Sequence, residues 1–127
     1  RTALARIMVS DPKLLLLDEP FSALDKQTIH VLREELEQIW EKTGKTIFYV
    51  THSVEEAVYF ADRIVVMSEN PGRIRSVIPV DLARPRNIET EEFLHLRKQI
   101  LAEVRAGVCR SIREEFDEQD LPFAKGE

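Results

Sequence analysis

The 127-residue chain has a single cysteine, Cys109, which leaves no internal disulfide framework and no cysteine-rich zinc site. A reducing compartment is therefore expected. Its four glycines, Gly44, Gly72, Gly107 and Gly126, stand far apart, so no G-x-x-x-x-G-K-[ST] loop able to cradle a phosphate is present. No apolar run approaches the about 20 residues of a membrane-spanning helix; the leucine block Leu14–Leu17 is far shorter. Positive charge is also in short supply, with 18 Lys and Arg against 23 Asp and Glu, a formal net charge of −5. That balance argues against a nucleic-acid binder, which needs cations to neutralise phosphates, and against a polybasic membrane-surface module. The chain opens on Arg1 rather than Met, inside a helix-compatible stretch and with no secretory leader, as expected of a piece of something longer. These limits leave one modest domain of soluble, intracellular α/β type, with 43% hydrophobic residues to build a core.

Arg1–Val9 has apolar residues at helical spacing and is stopped by Ser10-Asp11-Pro12. Periodicity alone does not separate strand from helix at Leu14–Leu17. Its shortness, and the acids and proline behind it, favour a strand covered on both faces. Ile29, Leu32, Leu36, Ile39 and Trp40 form one stripe of a helix over Lys26–Glu41, ended by Gly44 in a left-handed cap. Thr46–Val50, β-branched and aromatic, reads as a second buried strand. Ser53 and Glu56 have capping-box spacing ahead of a short helix, Val54–Phe60. Ile64–Met67 and Arg73–Val80 are strands of a hairpin turning at Asn70-Pro71-Gly72. Ala83-Arg84-Pro85-Arg86-Asn87 is a polar connector to one long helix, Thr90–Asp117, with a stripe of Phe93, Leu96, Ile100, Val104, Val108, Ile112 and Phe116. Cys109 lies beside that stripe as a small buried hydrophobe. Gly107 marks a close contact or a bend, and the tail Glu118–Glu127 is expected to fray.

Alternating strands and helices imply right-handed crossovers and a mainly parallel sheet with a hairpin at one edge. Ligands of such sheets bind beyond the carboxyl ends of the strands. Asp18-Glu19-Pro20 follows the leucine block directly. The two acids are either solvated turn residues or a pair in which the first helps hold Mg²⁺ and the second orients an attacking water. Ser22 and Asp25 share capping-box spacing, whose plain role is to start the next helix. Thr51-His52-Ser53 ends the second strand, so His52 occupies the same rim as Asp18 and Glu19. His30 and His95 lie on helices away from that rim.

Arg1-Thr2-Ala3-Leu4-Ala5-Arg6-Ile7, Leu14-Leu15-Leu16-Leu17-Asp18-Glu19-Pro20, Ser22-Ala23-Leu24-Asp25 and Thr51-His52 together resemble consecutive motifs of an ABC transporter ATPase subunit, in order and spacing, along the first 80 or so residues. The resemblance implies a partial P-loop NTPase fold, with residues 1–82 as the C-terminal part of the ATPase domain and residues 83–127 as connector and helical extension. It implies that Asp18 binds the Mg²⁺ shell through water and that Glu19 is the general base. It further implies that Ser22 and Asp25 lie on the loop facing a second subunit across a head-to-tail nucleotide sandwich, that His52 reaches the γ-phosphate, and that Arg1 ends the signature motif. ATP and Mg²⁺ are the implied ligands. A second ATPase subunit, transmembrane permease subunits and, indirectly, a periplasmic or lipoprotein-type substrate-binding protein are the implied partners, on the inner face of the cell membrane. In that family the phosphate-loop strand lies beside the histidine strand, so this piece, lacking it, is expected to show a sheet gap and exposed core.

Glu19-Pro20-Phe21-Ser22 looks like bacterial importers, and Met67–Ile74 with Val80-Asp81-Leu82 and Arg84-Pro85-Arg86 is similar to the nitrate, sulfonate and taurine importer ATPases. Two other readings compete. One is a DNA-repair or chromosome-maintenance ATPase of the same superfamily, which the net negative charge and the Pro71-Gly72 hairpin disfavour. The other is a non-enzymatic oligomerising module, which the absent phosphate loop favours and Glu19 with His52 disfavours. Without a phosphate cradle, the purified 127-residue chain is predicted to hydrolyse ATP negligibly. Robust phosphate release by a preparation free of contaminating ATPases would overturn that expectation.

Overall fold

The computed structural model describes residues 11–69 and 71–119, with 109–119 as backbone only. The helix expected over Arg1–Val9 lies outside them, as do the Cys109 side chain and tail residues 120–127, whereas Glu118 and Gln119 still belong to a helix. The chain divides into two units, Arg1–Ser53 and Val54–Glu127.

In the first unit, strand β1 (Leu14–Asp18) is joined by helix α1 (Lys26–Thr43) to strand β2 (Thr46–Val50), and the strands pair in parallel from Leu14↔Thr46 to Asp18↔Val50. A parallel pair needs such a crossover. Asp25 opens α1 by accepting the Thr28 amide at 2.9 Å, and Gly44 closes it in the left-handed conformation, φ 60°, donating its amide to Trp40 O at 2.8 Å. Lys45 then ties the two strand starts together, reaching Asp11 Oδ1 at 2.5 Å and Pro12 O at 2.7 Å. The neighbouring ammonium holds the Asp11 carboxyl below the ordinary aspartate range.

Neither strand is buried on both faces. Leu15 and Leu17 are buried, with Phe21 and Leu36, but Leu16 is 70% and Phe48 59% exposed, and Leu14 and Val50 share that open face. This corrects the expectation of strands covered on both sides. A pleat sends alternate side chains to opposite faces, and one crossover helix can cover only one of them.

The second unit comprises helix α2 (Val54–Phe60), strands β3 (Arg63–Met67) and β4 (Ile74–Pro79), and helix α3 (Glu91–Gln119). β3 and β4 form the expected antiparallel hairpin, with an irregularity at Val66/Met67. Ser68 Oγ secures the turn, accepting the Arg73 amide at 3.1 Å and donating to Pro71 O at 2.8 Å. The expected single, mainly parallel sheet is corrected as well: among the described residues there are two separate two-stranded sheets, β1-β2 and β3-β4. Each ladder is formed within one unit, β1-β2 in the first and β3-β4 in the second.

The core of this unit is Val58, Tyr59, Ile64, Val66, Val80, Phe93 and Ile100, with Leu96 packed against it. Thr90 caps α3 through its Oγ1, which accepts the Phe93 amide at 3.4 Å. Along the stripe expected on α3, Phe93 and Ile100 are buried and Val104 is exposed, while the Ile112 and Phe116 side chains lie outside the described residues. Farther along, a Cβ on Gly107 would run into the Arg75 guanidinium, so the mid-helix glycine serves a close contact.

The connector does more than span. Arg86 is buried and donates through Nη1 to Val58 O, Tyr59 O and Ala61 O at 2.8, 3.0 and 2.7 Å. Arg84 Nη2 donates to Phe60 O at 2.6 Å and to Asp62 Oδ1 at 3.1 Å. A helix leaves its last carbonyls without intrahelical donors, and these two side chains supply them for α2.

Nothing lies within 4 Å of a Cβ built on Gly44, so a substitution there pays only for its left-handed backbone. Gly44→Ala is expected to lower stability by about 1 kcal/mol, read from the urea midpoint at unchanged slope.

Candidate functional site

The parallel ladder carries the site. Because Asp18 is level with Val50, the residues after β1 and those after β2 emerge at the same edge. Glu19 leaves β1 in the left-handed region, φ 45°, and its amide donates to Val50 O at 2.8 Å. A non-glycine residue in that conformation costs roughly 1–2 kcal/mol, and the strand-end hydrogen bond is what fixes the turn here. On the neighbouring strand, Thr51 Oγ1 accepts the Ser53 amide at 2.9 Å, which tightens the backbone on both sides of His52.

These turns bring His52 Nε2 into ion-pair contact with Glu19 Oε1. The His52 side chain is 90% exposed and that of Glu19 31%. An imidazole N–H given to one carboxylate oxygen orients the group and leaves the other oxygen to accept from a water. Asp18 is exposed at the same rim. Among the described residues no three metal-ligating side chains converge.

Ser22 and Asp25 lie farther along the loop. The Ser22 amide donates to Glu19 O at 3.3 Å, within the turn Glu19–Ala23, and its side chain is exposed. Asp25, not Ser22, is the helix cap: Oδ1 accepts the Thr28 amide at 2.9 Å and Oδ2 the Thr28 hydroxyl at 2.7 Å. Arg1 lies outside the described residues. His30 sits beside Glu34 on the exposed side of α1.

The carbonyl-binding role of Arg84 and Arg86 was not legible in the connector. The signal for them lies in α2, which has no basic residue in its last turn and no glycine after it, so its carbonyls must find donors elsewhere.

No family model matches the chain. It is 50% identical over 113 residues to an uncharacterized ABC transporter ATP-binding protein of Methanocaldococcus jannaschii, covering 89% of this chain and 42% of that protein. It is 41% identical over 126 residues to the aliphatic sulfonates import ATP-binding protein SsuB of Bacillus subtilis, covering 99% of this chain and 45% of SsuB. It is 39% identical to the taurine import ATP-binding protein TauB of Pseudomonas syringae, covering 87% of this chain and 47% of TauB. The chain thus spans somewhat less than half the length of the curated relatives it matches.

Two hydrogen bonds from Thr28, the amide first, hold the Asp25 carboxyl below the ordinary aspartate range. A depressed folded-state value means the cap's contribution is complete above that range and is lost as pH falls through the lowered value. Asp25→Ala should lower the unfolding midpoint by a few degrees at neutral pH and by less in strong acid, followed by circular dichroism. Asp25→Asn, which keeps an acceptor, should recover most of the loss.

Proposed function

Over the residues it shares with them, this chain belongs to the ABC transporter ATP-binding proteins, and from that premise we propose that it is the C-terminal part of an importer's ATP-hydrolysing subunit. The observation that carries the reading is the rim at the carboxyl ends of β1 and β2, where Glu19 is held by His52 and Asp18 is the last residue of β1. In the proposed reaction the Glu19 carboxylate accepts a proton from the water that attacks the γ-phosphorus, as the bond to the bridging β-γ oxygen breaks. The N–H of His52 can be given either to Glu19 or to a γ-phosphate oxygen. Its transfer from one to the other would couple arrival of the phosphate to release of the base.

Asp18 would hold Mg²⁺ through water; the ion would neutralise charge developing on the phosphate oxygens. Residues 1–82 are read as ATPase domain and 83–127 as connector and extension. Ser22 and Asp25 would face a second subunit across the nucleotide, and Arg1 would close the signature motif. The relatives' names, import of aliphatic sulfonates and of taurine, support a small anion such as a sulfonate, taurine or nitrate as cargo, carried by permease subunits and delivered by a binding protein. Among the described residues no helix is long and apolar enough to cross a membrane. The subunit is read as working against a separate permease on its cytoplasmic side. The phosphate cradle would come from the rest of the subunit, so the 127-residue chain alone is read as inactive.

In the complete subunit, Glu19→Gln is expected to leave ATP affinity unchanged, measured with a fluorescent analogue, and to lower turnover by about 10²–10⁴-fold. Turnover equal to that of the parent would remove Glu19 as the base.

A further inference from the structure

The His52 side chain is 90% exposed. An imidazole with so little packed around it takes its direction from the backbone that carries it and from the partner it reaches, Glu19. Two hydrogen bonds hold the backbone at this rim. The Glu19 amide donates to Val50 O at 2.8 Å, one step beyond the last register pair, Asp18↔Val50. The other bond belongs to Thr51, whose Oγ1 accepts the Ser53 amide at 2.9 Å. A hydroxyl that binds the amide two residues on closes a turn, and the residue enclosed by this one is His52. Threonine suits the task because its branched Cβ restricts χ1, so the acceptor oxygen stays where the amide arrives. Glu19, Val50, Thr51, His52 and Ser53 all lie in the first unit.

We infer that Thr51 is a positioning residue: by closing the turn around His52, its hydroxyl holds the imidazole within reach of Glu19 and of a γ-phosphate oxygen. The two contacts divide the labour. Val50 O sets the Glu19 backbone against the end of β2, and Thr51 Oγ1 sets the path of the chain through His52. Without the hydroxyl the Ser53 amide loses this acceptor, the turn opens, and the imidazole ranges over directions in which it meets neither group. Thr51 acts through the backbone and touches no reacting atom. The inference rests on the reading of His52 as the residue that reaches the γ-phosphate.

The test is made in the complete subunit. It compares Thr51→Val, which keeps the branched shape and removes the acceptor, with Thr51→Ser, which keeps the acceptor. Thr51→Val is expected to lower kcat for ATP by about ten- to a hundred-fold, with KM for ATP within about two-fold of the parent. Thr51→Ser should restore most of the parent's kcat. Amide hydrogen exchange supplies a readout independent of turnover: the Ser53 amide should exchange faster in Thr51→Val and keep its protection in Thr51→Ser. If Thr51→Val does not fold, Thr51→Ala, which also lacks the acceptor, should give the same split between kcat and KM. In a His52→Ala background, Thr51→Val should change single-turnover hydrolysis by no more than about two-fold, because the hydroxyl works only through the imidazole. An unchanged kcat in Thr51→Val, an equal loss in Thr51→Ser, or a full further loss in the His52→Ala background would overturn the inference while leaving the role of His52 standing. Normal turnover by His52→Ala alone would overturn that role, and the inference with it.

Discussion

A short helix between two loops has more backbone groups to satisfy than it can satisfy itself, and that constraint organises the second unit of this protein. Helix α2 makes few internal hydrogen bonds, and its carboxyl end is turned toward the unit's apolar core, where an unpaired carbonyl would cost about 1–3 kcal/mol. Two arginines from a connector more than twenty residues downstream meet the demand. The connector therefore cannot be a passive spacer. Its path is fixed by the carbonyls it serves, and Thr90, a few residues on, starts α3 on the course that buries Phe93 and Ile100. One charged residue buried among carbonyls thus sets the geometry of a hairpin, a short helix and a long one.

The first unit is organised by register. Pairing Leu14 with Thr46 makes Asp18 level with Val50, and everything beyond those residues emerges together. The left-handed turn at Glu19 is a local departure from relaxed geometry, shared in this unit by Asp11. Such departures concentrate where a side chain must be aimed, and this one aims a carboxylate at an imidazole. The loop that follows is set by Asp25, whose cap fixes the start of α1. Strand end, strained turn and cap form one sequence-continuous device of eight residues, Asp18 to Asp25.

Much of this was legible beforehand for identifiable reasons. α1 announced itself through a 3.6-residue stripe and a terminal glycine, and β2 through five β-branched or aromatic residues in a row, so both were read within a residue or two. Burial was less legible. The block Leu14–Leu17 has no polar alternation, and nothing within it distinguishes Leu15, which is buried, from Leu16, which is not. Burial depends on what else packs there, which a local pattern does not contain. The same limit applied to sheet continuity, and to α3, where the stripe was read past Ile100 although Val104 is exposed. Arg84 and Arg86 escaped because a basic connector looks solvated until the acceptors it serves are known. The contact of Glu19 with His52 was legible because it follows from topology: residues after adjacent parallel strands share an edge.

The open face of β1-β2 and the chemistry of its rim point in one direction. Leu14, Leu16, Phe48 and Val50 form an apolar surface on one face of a two-stranded sheet. The rim just beyond it holds the Glu19 carboxylate and the His52 imidazole in contact. Under the proposed reading a phosphate-loop strand entering beside β2 would extend the sheet at its edge and bring the cradle to the same rim, while the apolar face would need a separate layer packed on it. The Glu19 carboxylate and the His52 imidazole are already in contact without either addition, at the turns that follow two strands in register.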